Sequence, residues 1–305
     1  MKRRQISTAA LLLTISALFY AGNGCPGAVE GSTWASVPGG LPRAESFWTR
    51  LTTHTLQNPG FVVGYSEWRR DPLWVAFRAT PIHEQGPVTR PDHFSVDERT
   101  LARVSSEDFR GSPYDRGHLA PNYLISRLYG SDAQQATFLM SNIAPQTRRL
   151  NQLLWQRIEE AEADVVAPRI GELWVITGPI FGTHMPLDSG VEVPEAFYRI
   201  WFDAHAATAL AFIVPQEVCG DEPLTNYLAT VDEVEHRTGL DFFSTLDAAE
   251  QERIESSAAD VHWNVESFSH SPPRYAENFK GRPCTGGGFL GLVDAAGLEP
   301  ATPAV

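Results

Sequence analysis

The stretch Tyr114-Asp115-Arg116-Gly117-His118-Leu119-Ala120-Pro121-Asn122 decides how this chain is read. It sets an acid, a guanidinium, a glycine and an imidazole side by side. On an extended strand alternate side chains share a face, so Arg116 and His118 point one way and Asp115 the other. One face then carries a cation suited to phosphate and a base that works near neutral pH. Gly117 leaves room for close approach between them. The competing reading is a structural salt bridge with a spare histidine, one of nine in the chain.

A second polar cluster follows: Asn142, Pro145-Gln146, Asn151, Trp155 and Glu159. Leu150, Leu153, Leu154, Trp155 and Ile158 recur at helical spacing, which predicts a helix from 150 to about 165. Asn151 and Glu159 are eight residues apart, a rotation of roughly 80° over two turns. Both can face one site from successive levels. An amide carbonyl and a carboxylate are hard oxygen groups suited to Mg²⁺. The competing reading makes Asn151 a helix cap and Glu159 a solvated acid.

Outward from these clusters the pattern is mostly of strands. Residues 60–65, 73–80, 173–178, 197–202 and 209–214 are apolar or β-branched runs between turn signals, and 197–202 with 209–214 reads as an antiparallel pair. Helices are expected at 226–236 and 247–254, a short helix or extended passage at 133–140, and a long polar loop at 81–113. Strands in pairs with interspersed helices give an α+β class, a mainly antiparallel sheet flanked by helices around one core at about 45–260.

The N-terminus has Lys2, Arg3 and Arg4, an apolar run from about Ala9 to Gly22, then Asn23-Gly24-Cys25-Pro26-Gly27, the layout of a secretory signal over 1–24. The run is short of the roughly 20 residues a membrane span needs, so no stable span is expected. Secreted or periplasmic export follows, with a lipid anchor through Cys25 as the alternative. Residues 25–45 read as a linker, 46–260 as the domain, and 261–305 as a C-terminal extension whose tail from Gly286 is poorly ordered. Cys219 and Cys284 either form one disulfide or are unrelated thiols.

The net charge of −13 does not by itself suggest a nucleic-acid partner. Yet residues 99–157 hold eight arginines against Glu107, Asp108, Asp115 and Asp132, so a basic cleft in an acidic molecule is expected. Two G-x-G-x-x-G matches, at 22–27 and 286–291, do not join a strand to a helix and carry no dinucleotide reading. The chain has no G-x-S-x-G, H-E-x-x-H or C-x-x-C.

Tyr114 to Pro121, Ser141-Asn142-Ile143-Ala144-Pro145-Gln146, Leu150-Asn151-Gln152, Trp155 and Ile158-Glu159 together resemble the DNA/RNA non-specific endonuclease family in order and spacing. Similarity extends to Trp74-Val75-Ala76-Phe77, Asp108-Phe109-Arg110, Ile176-Thr177-Gly178-Pro179, Phe197-Tyr198-Arg199 and Ala211-Phe212-Ile213-Val214-Pro215, over about 48–255. The resemblance implies a ββα-metal (His-Me finger) fold and a Mg²⁺-dependent enzyme, with Mn²⁺ as a substitute. It would hydrolyse the phosphodiesters of DNA and RNA to 5′-phosphate products. It implies His118 as general base, Asn151 as the one direct protein ligand of the metal and Glu159 as the acid holding metal-bound water. Arg116 and Asn142 match residues that position the phosphate or support the site. A further family arginine corresponds to Arg90 or Arg99. A homodimer is a further expectation. The alternatives are an inactive nucleic-acid-binding protein on the same fold, or a phosphodiesterase of small diesters.

Overall fold

The computed structural model describes residues 37–83, 89–258 and 261–274, together with 276, 279 and 284. The expected signal segment, Cys25 and the tail beyond Gly286 lie outside the described residues.

The chain enters through β1 (Arg43–Ala44) and α1 (Phe47–Thr52) into a meander of β2 (Thr53–Asn58), β3 (Phe61–Ser66) and β4 (Asp71–Ala79). A long loop leads to β5 (Tyr114–His118) and α2 (Asn122–Thr137), which bends at Gly130 (φ 83°). After β6 (Ile143–Thr147) comes one continuous helical run. It alternates π turns at Leu150–Trp155 and Glu162–Val166 with α3 (Gln156–Ala161) and α4 (Ala167–Ile170). Then follow β7 (Leu173–Ile180), β8 (Ala196–Asp203), β9 (Thr208–Pro215), β10 (Leu228–Ala229), α5 (Val231–Thr238), β11 (Leu240–Asp241) and α6 (Ala248–Glu255).

Seven strands form one antiparallel sheet in the order β10-β9-β8-β7-β4-β3-β2. All eight residues of β7 and of β8 are buried, so the middle of the sheet is covered on both faces. Alternation along β8 sorts the two layers. Phe197 meets Trp155 of the helical run, with ring centroids 5.6 Å apart. Tyr198 and Phe202 turn the other way, to Phe242 and Phe243 at 5.6 and 4.6 Å.

The packed region is wider than the expected domain. Val37 and Ala44, inside the stretch read as linker, are buried, and β1 pairs with β11. In the expected extension, Trp263, Val265 and Phe268 are buried, with Trp263 and Phe268 6.1 and 6.2 Å from the Trp201 ring. Arg157 holds this segment by donating to the carbonyls of Ser271 (2.8 Å), Glu222 (2.7 Å), Gly220 (3.1 Å) and Ser269. Cys219 and Cys284 are joined in a disulfide.

Candidate active site

β5 and β6 form a separate two-stranded ribbon, with His118 opposite Ile143, Arg116 opposite Pro145 and Asp115 opposite Gln146. The ribbon feeds directly into the helical run, a β-β-α unit laid against the sheet. Gly117 is required by close packing: a Cβ there would stand 2.0 Å from Oε1 of Gln146. The space it leaves is filled by a buried side chain from the paired strand.

His118 is half-buried between aromatic rings, 4.9 Å from Phe138 edge-on and 5.4 Å from Phe94. Its Nε2 is buried with no hydrogen-bond partner among the described residues. Burial, aided by the Arg90 charge, lowers its pKa to about 3. The imidazole is therefore neutral at neutral pH and has a lone pair to accept a proton.

Arg90 stacks 5.0 Å over the Phe138 ring, and its charge acts on both His118 and Glu159. Of the two loop arginines left open by the sequence, this is the one beside His118. Arg99 is engaged elsewhere, by Asp97 (2.6 and 2.8 Å), Asn58 Oδ1 (2.8 Å) and the Gln57 carbonyl (2.7 Å).

Asn151 sits in the first π turn, a local widening of the helix often found at functional sites. Its Nδ2 donates to Asp115 Oδ2 at 3.1 Å, and Gln152 Nε2 donates to the same oxygen at 2.6 Å. Asp115, turned away from the Arg116–His118 face, thus ties the ribbon to the helix and fixes which end of the Asn151 amide is free. Oδ1 of Asn151 accepts no hydrogen bond among the described residues.

Glu159 is half-buried, and its Oε1 has no hydrogen-bond partner among the described residues; Nη1 of Arg199 lies 3.9 Å away. Burial raises its pKa to about 8, opposed by Arg199 and Arg90 and reinforced by Glu162 and Glu160. Arg199 itself is fully buried in β8 and grips Glu162 with two hydrogen bonds. Trp201 Nε1 donates to Glu162 at 2.7 Å, and Arg199 Nη1 reaches the Leu119 carbonyl at 3.4 Å. One buried guanidinium thus links the sheet, the helical run and the end of the opening motif.

Arg116 donates to the Ser106 carbonyl and lies 5.6 Å over Phe109, and its Nε has no partner among the described residues. Asn142 is fully buried, accepting from the Ala120 amide (2.9 Å) and donating to the carbonyls of Ala120 (3.1 Å) and Thr137 (3.0 Å). Both its N–H groups are used, so its bonding is that of a brace behind the motif and not of a phosphate contact.

The basic cleft expected from the arginine count is much reduced. Arg99, Arg103, Arg110 and Arg148 stand beside carboxylates, and Arg157 is given to carbonyls. Of the others, Arg149 donates to the Cys219 carbonyl and Arg127 lies over the Tyr123 ring. The charge that acts on His118 is that of Arg90, from outside the counted stretch.

A family model described as DNA/RNA non-specific endonuclease matches residues 43–249. The chain belongs to that family. It is a nuclease, a hydrolase acting on nucleic acid. A nuclease of Nostoc sp. is 30% identical over 224 residues, covering 68% of this chain and 80% of the relative. Human mitochondrial endonuclease G is 27% identical over 205 residues, covering 61% of this chain and 68% of the relative. A chain in the crystal structure of the EndoG/EndoGI complex superposes with a TM-score of 0.60 at 24% identity, covering 72% of this chain and 95% of that one, and so shares the fold. No helix among the described residues is long and apolar enough to cross a membrane.

Proposed function

We propose that this nuclease cleaves both DNA and RNA with His118 as general base and one Mg²⁺ held through Asn151, leaving 5′-phosphate ends. The observation that carries the reading is the Asn151 amide: its nitrogen is committed to Asp115, and its carbonyl oxygen is left over. With the unpartnered Oε1 of Glu159, that makes a donor set of hard oxygens, which suits Mg²⁺ and fits the generally metal-dependent character of the family. When bound, the ion would supply Lewis-acid stabilisation of charge on the phosphate and the departing oxygen.

The chain's own residues do the rest. Neutral His118 accepts a proton from the attacking water at Nε2, the ring held by Phe94 and Phe138. Arg90 and Arg116 draw the phosphate to that nitrogen and offset its charge. Glu159 orients water on the far side, and Asn142 keeps the motif's end against α2. Contacts of this kind read phosphate and not base, so sequence preference is low. Export of the chain rests on reading residues 1–24 as a signal segment.

Plasmid nicking and RNA degradation, each with and without Mg²⁺, test this. Cleavage of both polymers that stops in EDTA and in His118→Ala supports it. Tight binding without cleavage in Mg²⁺ or Mn²⁺ overturns it in favour of an inactive binding fold, and cleavage confined to small diesters overturns the polymer substrate.

A further inference from the structure

A second cluster of oxygen ligands lies on elements that take no part in the nuclease site. Asp232 and Glu235 stand three residues apart on one face of α5, and Glu255 is the last residue of α6. One carboxylate oxygen from each of the three lies within 4.8 Å of the others. Asp232 is exposed, but Glu255 is only 5% exposed and its Oε1 has no hydrogen-bond partner among the described residues.

The charged neighbours that act most strongly here are all acids. Glu235 feels Asp241, Asp232 and Glu45, while Glu255 feels Glu235, Asp232 and Asp241. Arginines on the same helices are committed elsewhere: Arg237 to Glu195 at 2.9 Å, Arg253 to the Ala207 carbonyl at 3.0 Å. Glu235 accepts one bond, from the Phe242 amide at 2.7 Å, and Gln251 donates to Asp241 at 3.3 Å. Gln251 also bonds to the Glu255 carboxylate, yet Oε1 is left without a partner among the described residues. A buried carboxylate grouped with two further carboxylates and one neutral donor is relieved by a proton or a cation.

We propose that Asp232, Glu235 and Glu255 form a calcium site that clamps α5 to α6, separate from the nuclease centre. The ligand class follows from the donors. All are oxygens, with no imidazole or thiolate, which disfavours zinc and the softer transition metals. Glu255 is too buried to be reached through a full water shell, so its oxygen must bind directly. Ca²⁺ accepts several carboxylates in irregular geometry, while Mg²⁺ holds its waters and demands an octahedron. Binding requires the carboxylates deprotonated, so affinity rises with pH. Both helices pack against β9, and the ion would fasten that edge of the sheet.

The test is thermal unfolding of the full chain at pH 8 in EDTA, then with Ca²⁺ or Mg²⁺ added. Calcium at a hundred-fold excess over its dissociation constant should raise Tm by roughly 5–10 °C, and Mg²⁺ should give less. Glu255→Gln should lose the calcium shift. So should Asp232→Asn, an exposed change that leaves the fold and the Mg²⁺-dependent cleavage of plasmid unchanged. The proposal is overturned if calcium gives no shift, or if the shift survives both substitutions, which would place the ion elsewhere. Neither result bears on the nuclease reading, which is scored separately by cleavage in Mg²⁺.

Discussion

Asn151 donates its side-chain nitrogen to Asp115 across 3.1 Å, and this one bond determines which atom of the amide is available to anything else. A ligand's orientation is as much a part of a metal site as its identity, and loss of such an outer partner typically costs about 10–100-fold in affinity or activity. Asp115→Ala should therefore raise the Mg²⁺ concentration for half-maximal plasmid cleavage by about that factor, while Asn151→Ala abolishes cleavage with the fold intact. Circular dichroism checks the fold and a Mg²⁺ titration of nicking checks the site. An unchanged Mg²⁺ dependence in Asp115→Ala would remove Asp115 from the site.

His118 is held neutral by burial and by Arg90, with its pKa lowered to about 3. The free enzyme should then keep its base unprotonated well below the usual histidine range. The His118 contribution to the acid limb of kcat/KM, which reports the free enzyme, should lie below about pH 5, apart from any limb added by Glu159, which burial raises to about 8. Bound phosphate brings negative charge to the imidazole, so the limb in kcat should lie higher. Arg90→Gln removes the like charge and should move the kcat/KM limb upward as well as weakening turnover. Acid limbs that coincide near pH 6.5 in the wild type and in Arg90→Gln would show that neither burial nor Arg90 governs the base.

How much of this was legible in the residues varies with what each position answers to. The strand at Tyr114–His118 and the helical run from Leu150 follow local residue patterns, so both could be read. The π turn at Leu150–Trp155 leaves no such trace. β2 was missed because Thr53-His54-Thr55-Leu56-Gln57-Asn58 is a polar strand at the edge of the sheet. Most of α2 was missed because its composition is mixed and Gly130 interrupts it. Arg90 is brought to His118 by a loop, and loop spacing fixes no direction. Arg199 did carry a signal: a charge in the middle of Phe197-Tyr198-Arg199-Ile200-Trp201-Phe202 must be buried, and a buried charge needs a partner.

That partner is Glu162, and both side chains are fully shielded from water. Removing one member of such a pair leaves an uncompensated charge and typically costs about 3–5 kcal/mol. Arg199→Met should lower stability by that amount in urea unfolding and also disturb Glu159, which loses its nearest cation. Arg199→Met with Glu162→Leu should recover most of the stability, since apolar replacements of similar volume often match a buried ion pair. Activity should not return with it, because Glu159 remains without Arg199. A double variant as unstable as the single one would mean that Trp201 and Leu119, not the charge pair, set the energetics.

The acids at α5 and α6 give a stability profile of the opposite sign from ordinary paired carboxylates. Burial raises Glu255 to about 8 and Glu235 to about 7, with neighbouring acids reinforcing both. An unfolded glutamate loses its proton near pH 4.3, so between there and pH 8 the folded chain binds more protons than the unfolded one. Stability must then fall as pH rises through that window, and the contribution is fully present only at its acid end. In EDTA, urea midpoints of the wild type should decline from pH 5 to pH 8. Glu255→Gln, which keeps a neutral side chain at every pH, should flatten the decline and be more stable than wild type at pH 8. Parallel profiles for the two proteins would mean that Glu255 is ionised in the folded state throughout, and that its unpartnered oxygen is relieved by something other than a proton.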